Sequence, residues 1–486
     1  MSFPLAGESS RLQSEEHVNT RLSPPTRPIL IRLGIAPERI CHMAPGFRRT
    51  QCRAIINWLT RHHPKPTDSN LEQVKGYIES FYHLCDMQEW ERAFSLISTR
   101  LNTPTQEPLH YQLKFWGHAQ LRTDLYQKLT ERNNHVAADG WSARMLQFLG
   151  ESYYSQSRYS EAQIYYEQSL TLFKKIGETE DIGLLLSALG DVHYVQGDYE
   201  KAINHHQQAL EIAQANNVPF AEEIALGSLG NIYEAKGDYA KAKAYHQQHL
   251  VIACQTQDLE MEGAALGNLG SCCHMLCQYA QAKTYHEKHL ALSKKINNKQ
   301  GESNALGGLG SACYSFGDYD GAETYFSEQR AIAKEIGDLS GEASALGGLG
   351  NVHFSLDNYQ KAIDLHQQHL AIAQSLGNKR SALHAIGNLG NAFTATSEYD
   401  KAIECYRQQL AIAQEIGDGL GRAIAHGNLG VVFYEIARYE DAFESMQQQF
   451  EIARELGDSQ CEAEALGNLS KVTAKLKDTG SAASVL

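Results

Sequence analysis

The sequence predicts an all-α fold, a right-handed superhelical solenoid of antiparallel helix pairs. Three observations predict it. A 40-residue period runs without a slip, placing Leu149, Leu189, Leu229, Leu269, Leu309, Leu349, Leu389, Leu429 and Leu469 in one column and Gly150 through Gly430 in the next. A Tyr column from Tyr159 to Tyr439 follows each Gly by nine residues, and an unbroken Ala column from Ala162 to Ala442 stands three further on. Each period also holds two helix-length segments separated by stop signals, and self-similarity of this kind marks a stack of identical two-helix units.

Within a unit, the first helix carries Leu just before the Gly and an aromatic, His or Cys three after it, so both lie on one face at i,i+4. A break follows at Gly197-Asp198, Gly237-Asp238, Gly317-Asp318 or Asp357-Asn358. The second helix starts at the Tyr column. Gly177, Asn217, Asn297, Gly337, Gly377, Gly417 and Gly457 suit a left-handed C-cap, and the Asp or Asn beside many of them can start the next helix. Gly in mid-helix costs roughly 1 kcal/mol against Ala. A cost repeated in every unit implies close approach, expected here between the Gly of helix one and the Ala twelve residues on in helix two.

These offsets of Leu-Gly, Tyr and Ala resemble the tetratricopeptide repeat (TPR). Eight complete units cover about residues 143–462, and a ninth first helix is expected at about 463–477. The period exceeds the usual ~34 residues, and the extra residues lengthen the helices by about 9 Å in total. The phrases at Ser228–Tyr233 and Leu365–Gln374 are similar to the long-repeat class of the Pins/LGN family of spindle-orientation adaptors, and to large bacterial, especially cyanobacterial, repeat proteins. The chain stops soon after its last unit, so the C-terminal G-protein-binding motifs of those adaptors are not carried over.

Outside the repeats the composition changes. Residues 1–64 hold Pro24, Pro25, Pro28, Pro37 and Pro45 and nine Arg against four acidic residues, in a chain of net charge −14. They read as a basic, Pro/Ser-rich, largely disordered head, with a short helix at Arg48–Arg61. Residues 65–138 read as a degenerate TPR-like helical cap. Trp90 and Ala93 copy the Tyr-to-Ala spacing there, and Gly117 and Tyr126 copy the Gly-to-Tyr spacing. Residues 139–477 form the solenoid, and 478–486, ending Ser484-Val485-Leu486, a flexible tail. No run of eighteen apolar residues exists and no charged start leads into an apolar run, so a cytoplasmic protein is expected.

The position after the Gly lies about 200° from the core Leu around helix one, on the inner surface of a superhelix. That column reads Glu151, Asp191, Asn231, Ser271, Ser311, Asn351, Asn391, then Val431. Three residues earlier stand Asn268, Asn388 and Asn428, and three later Tyr194, Tyr314 and Tyr434. Small amides and hydroxyls leave room, Asn both donates to and accepts from an extended backbone, and the aromatics add apolar contact. A groove for a peptide or protein segment is therefore expected. The Pins/LGN resemblance implies main-chain contact by Asn231, Asn351 and Asn391, with Ser271, Ser311 and Val431 departing from the pattern.

Two other clusters carry histidine or cysteine. His206, His246, His286 and His366, with His249, His289 and His369 three residues on, recur with the period and read as packed, hydrogen-bonded structure. Cys272, Cys273, His274 and Cys277 resemble a metal or thiol site, but adjacent thiols on a helix diverge. No metal and no cofactor are expected. The ten cysteines lack a disulfide-type spacing. No Walker-type loop, G-x-S-x-G elbow or H-E-x-x-H occurs, so a non-catalytic scaffold or adaptor is expected rather than an enzyme. The alternative to the groove is a nucleic-acid- or membrane-linked adaptor acting through the basic head, although no aromatic–basic interleaving supports nucleic acid.

Overall fold

The computed structural model describes residues 22–65, 67–134 and 139–478. Among them every element is helical, apart from one isolated bridge between Arg100 and Pro108. The chain forms two units that divide after Lys236. The first begins with α1 (Thr26–Arg32), a 3-10 turn (Pro37–His42), α2 (Phe47–Arg61), α3 (Asn70–Asp86), α4 (Trp90–Ile97), α5 (Leu109–Phe115) and α6 (Ala119–Thr130). The pairs α7 (Gly140–Tyr154) with α8 (Tyr159–Ile176) and α9 (Thr179–Val195) with α10 (Tyr199–Ala215) follow, then α11 (Pro219–Ala235).

The second unit opens on α12 (Tyr239–Thr256) and continues in pairs: α13 (Leu259–Met275) with α14 (Tyr279–Lys295), α15 (Lys299–Phe316) with α16 (Tyr319–Ile336), and α17 (Leu339–Ser355) with α18 (Tyr359–Ser375). Then come α19 (Lys379–Ala395) with α20 (Tyr399–Glu415), α21 (Gly419–Glu435) with α22 (Tyr439–Leu456), and the closing α23 (Ser459–Asp478). Within the first unit each helix from α5 to α11 packs on the next, and within the second unit each helix from α12 to α23 does the same. The fold is the all-α repeat solenoid expected.

The caps follow the sequence closely. Gly177, Asn217, Asn297, Gly337, Gly377, Gly417 and Gly457 all adopt positive φ and end their helices. Asp198, Asp238, Asn298, Asp318, Asp338, Asn378 and Asp418 each accept a hydrogen bond from a backbone N–H three residues on, which satisfies an orphan donor of the first turn. Where a repeat lacks Gly at its inner turn, another residue is forced into the left-handed region, as Ala437 is at φ 58°. Ala437→Gly is therefore expected to stabilise the second unit by about 1 kcal/mol, since it removes a Cβ clash at a cost in unfolded-chain entropy. A chemical denaturation midpoint that fails to rise would contradict this.

The Ala column is fully buried at every position from Ala162 to Ala442, and the Leu column from Leu149 to Leu429 is 0–6 % exposed. The partner of the Gly column differs from expectation. A Cβ at Gly190, Gly270 or Gly350 would lie within 2.4–2.5 Å of the rings of His206, His286 and His366; at Gly150, Gly310 and Gly390 it would meet Tyr166, Phe326 and Tyr406. The residue sixteen positions on, not the Ala, occupies the space that Gly leaves. The next unit presses on the same ring: Gly308 meets His286, and Gly348 meets Phe326. Glycine thus seats one large side chain between two first helices.

The N-terminal region also departs from the sequence reading. The described part of the head is helical, and Ile29, Leu30, Leu33, Ile35, Ile55 and Leu59 are buried in one core with Val74, Phe81 and Leu84. Pro28 lies in the first turn of α1 and Pro37 opens the 3-10 turn, where a missing N–H is harmless. Proline here starts helices rather than preventing them. Gly117, matched above to a mid-helix Gly, instead sits at φ 79° in the turn between α5 and α6, and Tyr126 is buried within α6. The expectations for residues 1–21 and for the tail beyond Asp478, including Ser484–Leu486, lie outside the described residues.

Candidate functional site

In the second unit, successive first helices approach one another, α13 with α15, α15 with α17, α17 with α19 and α19 with α21, while the second helices make no comparable approach among the described residues. A stack closer on one side curves toward it, so the first helices line the inner face. Three hollows lie along that face. The first, about 450 Å³, is lined by Asn268, Ser271, Gly267 and Asn304. The second, about 760 Å³, holds Ser311, Tyr314, Asn351, Asn388 and the floor formed by Gly347 and Gly348. The third, about 280 Å³, holds Asn391, Asn428, Phe354 and Val431.

The side chains between them are tied down in ways that leave groups to spare. Asn388 Nδ2 donates to Asn351 Oδ1 at 3.0 Å, bridging α17 and α19, so Asn388 keeps its carbonyl oxygen and Asn351 its amino group for another partner. Asn391 Oδ1 accepts from Tyr406 Oη at 2.8 Å, and Asn391 lines the third hollow. Ser271 and Ser311 instead donate to the helix carbonyls of Gly267 and Gly307, so their hydroxyls can only accept. Tyr314 Oη is bonded to Ser355 at 2.9 Å.

Not every residue expected in one groove comes together. Asn231 (exposed, on α11) and Tyr194 (on α9, its ring 6.0 Å from Tyr199) belong to the first unit. Tyr434 packs on Tyr439 at 5.6 Å and lines none of the three hollows. The column reading also missed Arg380 and His384, which line the large hollow. Extending the face of Asn388 back by four and eight residues would have found both.

The histidine columns are packed, as expected. His246, His286 and His366 are at most 5 % exposed. Burial, with a smaller contribution from the neighbouring histidine, depresses each to about 4. The expected hydrogen bonding is only partly there: His369 Nε2 meets Ser381 Oγ at 2.8 Å, but neither ring nitrogen of His246 or His249 has a hydrogen-bond partner among the described residues. In the cysteine cluster, Cys272 and Cys273 are buried, Cys277 is exposed in a left-handed turn, and His274 Nε2 bonds Ser315 Oγ at 2.9 Å. The four do not converge on one point.

The tetratricopeptide repeat model matches seven overlapping stretches from residue 141 to residue 455. The chain belongs to the tetratricopeptide repeat family. No curated protein matches it. Among solved structures, this TPR chain is similar to aspartyl phosphate phosphatase F from Bacillus subtilis, at 14 % identity and TM-score 0.53, covering 72 % of this chain and 95 % of the other. It is also similar to the apo form of the quorum sensor NprR from B. thuringiensis, at 16 % identity and TM-score 0.50, covering 71 % and 99 %. The apo form of RapI aligns at 16 % identity and TM-score 0.50, covering 57 % and 98 %. At these identities the likeness is one of fold. No helix among the described residues is long and apolar enough to cross a membrane.

Proposed function

We propose that this TPR protein is a non-catalytic, cytoplasmic adaptor that binds an extended peptide or protein segment along the inner face of its second unit. The observation that carries this reading is the Asn351–Asn388 amide pair, set in the large hollow with one donor and one acceptor unspent. An extended backbone offers both complements at each residue. Asn391 and Asn428 continue the same chemistry into the third hollow, where Phe354 and Val431 add apolar surface. Ser271, Ser311 and Asn268 extend it toward the second unit's start, and Tyr314 forms a wall. Asn231 and Tyr194 would serve the first unit's own face.

The test is selection of random linear peptides on the full chain, followed by affinity measurement by fluorescence anisotropy. Asn351→Ala/Asn388→Ala/Asn391→Ala is expected to weaken the selected peptides about tenfold or more, since several backbone hydrogen bonds are lost together. Circular dichroism should show the triple variant folded. Peptides indifferent to all three substitutions would place binding elsewhere.

A further inference from the structure

The three hollows differ in chemistry, and the difference names a ligand. No acidic residue lines the large hollow, although the chain as a whole carries a net charge of −14. It does hold Arg380, an exposed guanidinium that makes no ion pair among the described residues. Arg380, His384 and Asn388 follow one another at i, i+4 and i+8 on α19, so one helical face presents them in a row. Ser340 and Ser344 stand on α17, and Gly347 and Gly348 line the same hollow. The corresponding positions of Arg380 in other units are Glu260, Gln300, Ser340 and Leu420, so the cation is peculiar to this unit. The first hollow, by contrast, carries Glu260 and amides and no basic residue apart from its buried histidines. The third is lined largely by apolar groups: Phe354, Ala395, Val431 and the ring of Tyr406.

Resting on the peptide-groove reading, we infer that the bound segment carries an acidic side chain seated at Arg380 and His384, and an apolar side chain seated against Phe354 and Val431. A carboxylate meets in the large hollow a planar, permanently charged fork and the hydroxyls of Ser340 and Ser344 without a competing acid. The Asn351–Asn388 pair lies in the same hollow and Asn391 in the next, so the backbone between the two side chains passes over groups able to bind it. Specificity then comes from the order of hollows, while the asparagines supply affinity to any extended chain.

The same selected peptides test this. On the unaltered chain they are expected to share an acidic residue near an apolar one. Arg380→Gln is expected to weaken an acidic peptide about tenfold or more while leaving its Glu→Gln analogue unaffected, because a charge-assisted hydrogen bond is lost only where the charge exists. Val431→Glu is expected to weaken both peptides. Arg380 and Val431 are exposed, and a thermal melt of each variant confirms its fold. Peptides that need the asparagines but show no acidic residue, or that ignore Arg380→Gln, overturn the inference and leave the groove standing. A phosphoserine peptide that binds where its Glu counterpart does not replaces the carboxylate with a phosphate. Peptides that ignore the asparagines altogether remove both readings.

Discussion

Acidification from about pH 7.5 to about pH 4.5 is expected to strip most of the stability from the second unit. His246, His286 and His366 have an ordinary pKa of 6.5 that burial lowers to about 4. Because the native pKa lies below the unfolded one, the unfolded chain takes up protons first as pH falls. The contribution of each histidine is whole above about pH 6.5 and is lost between about 6.5 and 4, on the order of 3 kcal/mol per residue at most. His249, His289 and His369 are shifted in the same direction, chiefly by burial, and steepen the loss. Other repeats show how to remove the effect, since Phe326 fills the same seat between Gly310 and Gly348. The triple variant His246→Phe/His286→Phe/His366→Phe should therefore show a flatter curve of urea midpoint against pH. An unchanged slope would mean that these rings are protonated in the native state and that the buried histidines are not the source of acid sensitivity.

Opposite signs are expected from the same substitution at different glycines. Gly348→Ala places a Cβ 2.6 Å from the ring of Phe326, which Gly310 already confines from the other side. Helix propensity favours Ala by about 1 kcal/mol, but overpacking a ring held on both sides costs typically 1–3 kcal/mol, so the net change is destabilising. Gly348→Leu should cost about 3 kcal/mol. Gly467 lies on α23, the last helix among the described residues, and a Cβ there meets nothing within 4 Å. Gly467→Ala should accordingly raise the melting temperature, by the propensity term alone. If Gly348→Ala also stabilised, the glycine column could not be explained by the ring it seats.

The role of the repeat in the fold was legible because its signals are local and redundant. Leu429, Ala442 and Gly457 each recur at a fixed offset, and burial, close packing and capping depend on backbone geometry that the period repeats. Columns of equivalent positions also found the face that carries Asn351, Asn388 and Asn391, since helical angle alone separates it from the core. Three things were not legible. Tertiary packing decided that the glycines accommodate His286 or Phe326 rather than the Ala, because which of two facing side chains reaches across depends on the approach of the helices. It decided that Ile29 and Leu33 join the core around Phe81, where composition had suggested disorder; prolines at helix starts and prolines in a coil have the same letters. It also isolated Arg380, an exception to its column. A periodic reading averages over units and passes over the one that differs, whereas a hollow is made by residues from neighbouring helices and takes its charge from each of them. The sequence by itself determined the architecture and the face proposed to bind, through repetition; the tertiary structure alone decided where along that face the chemistry changes.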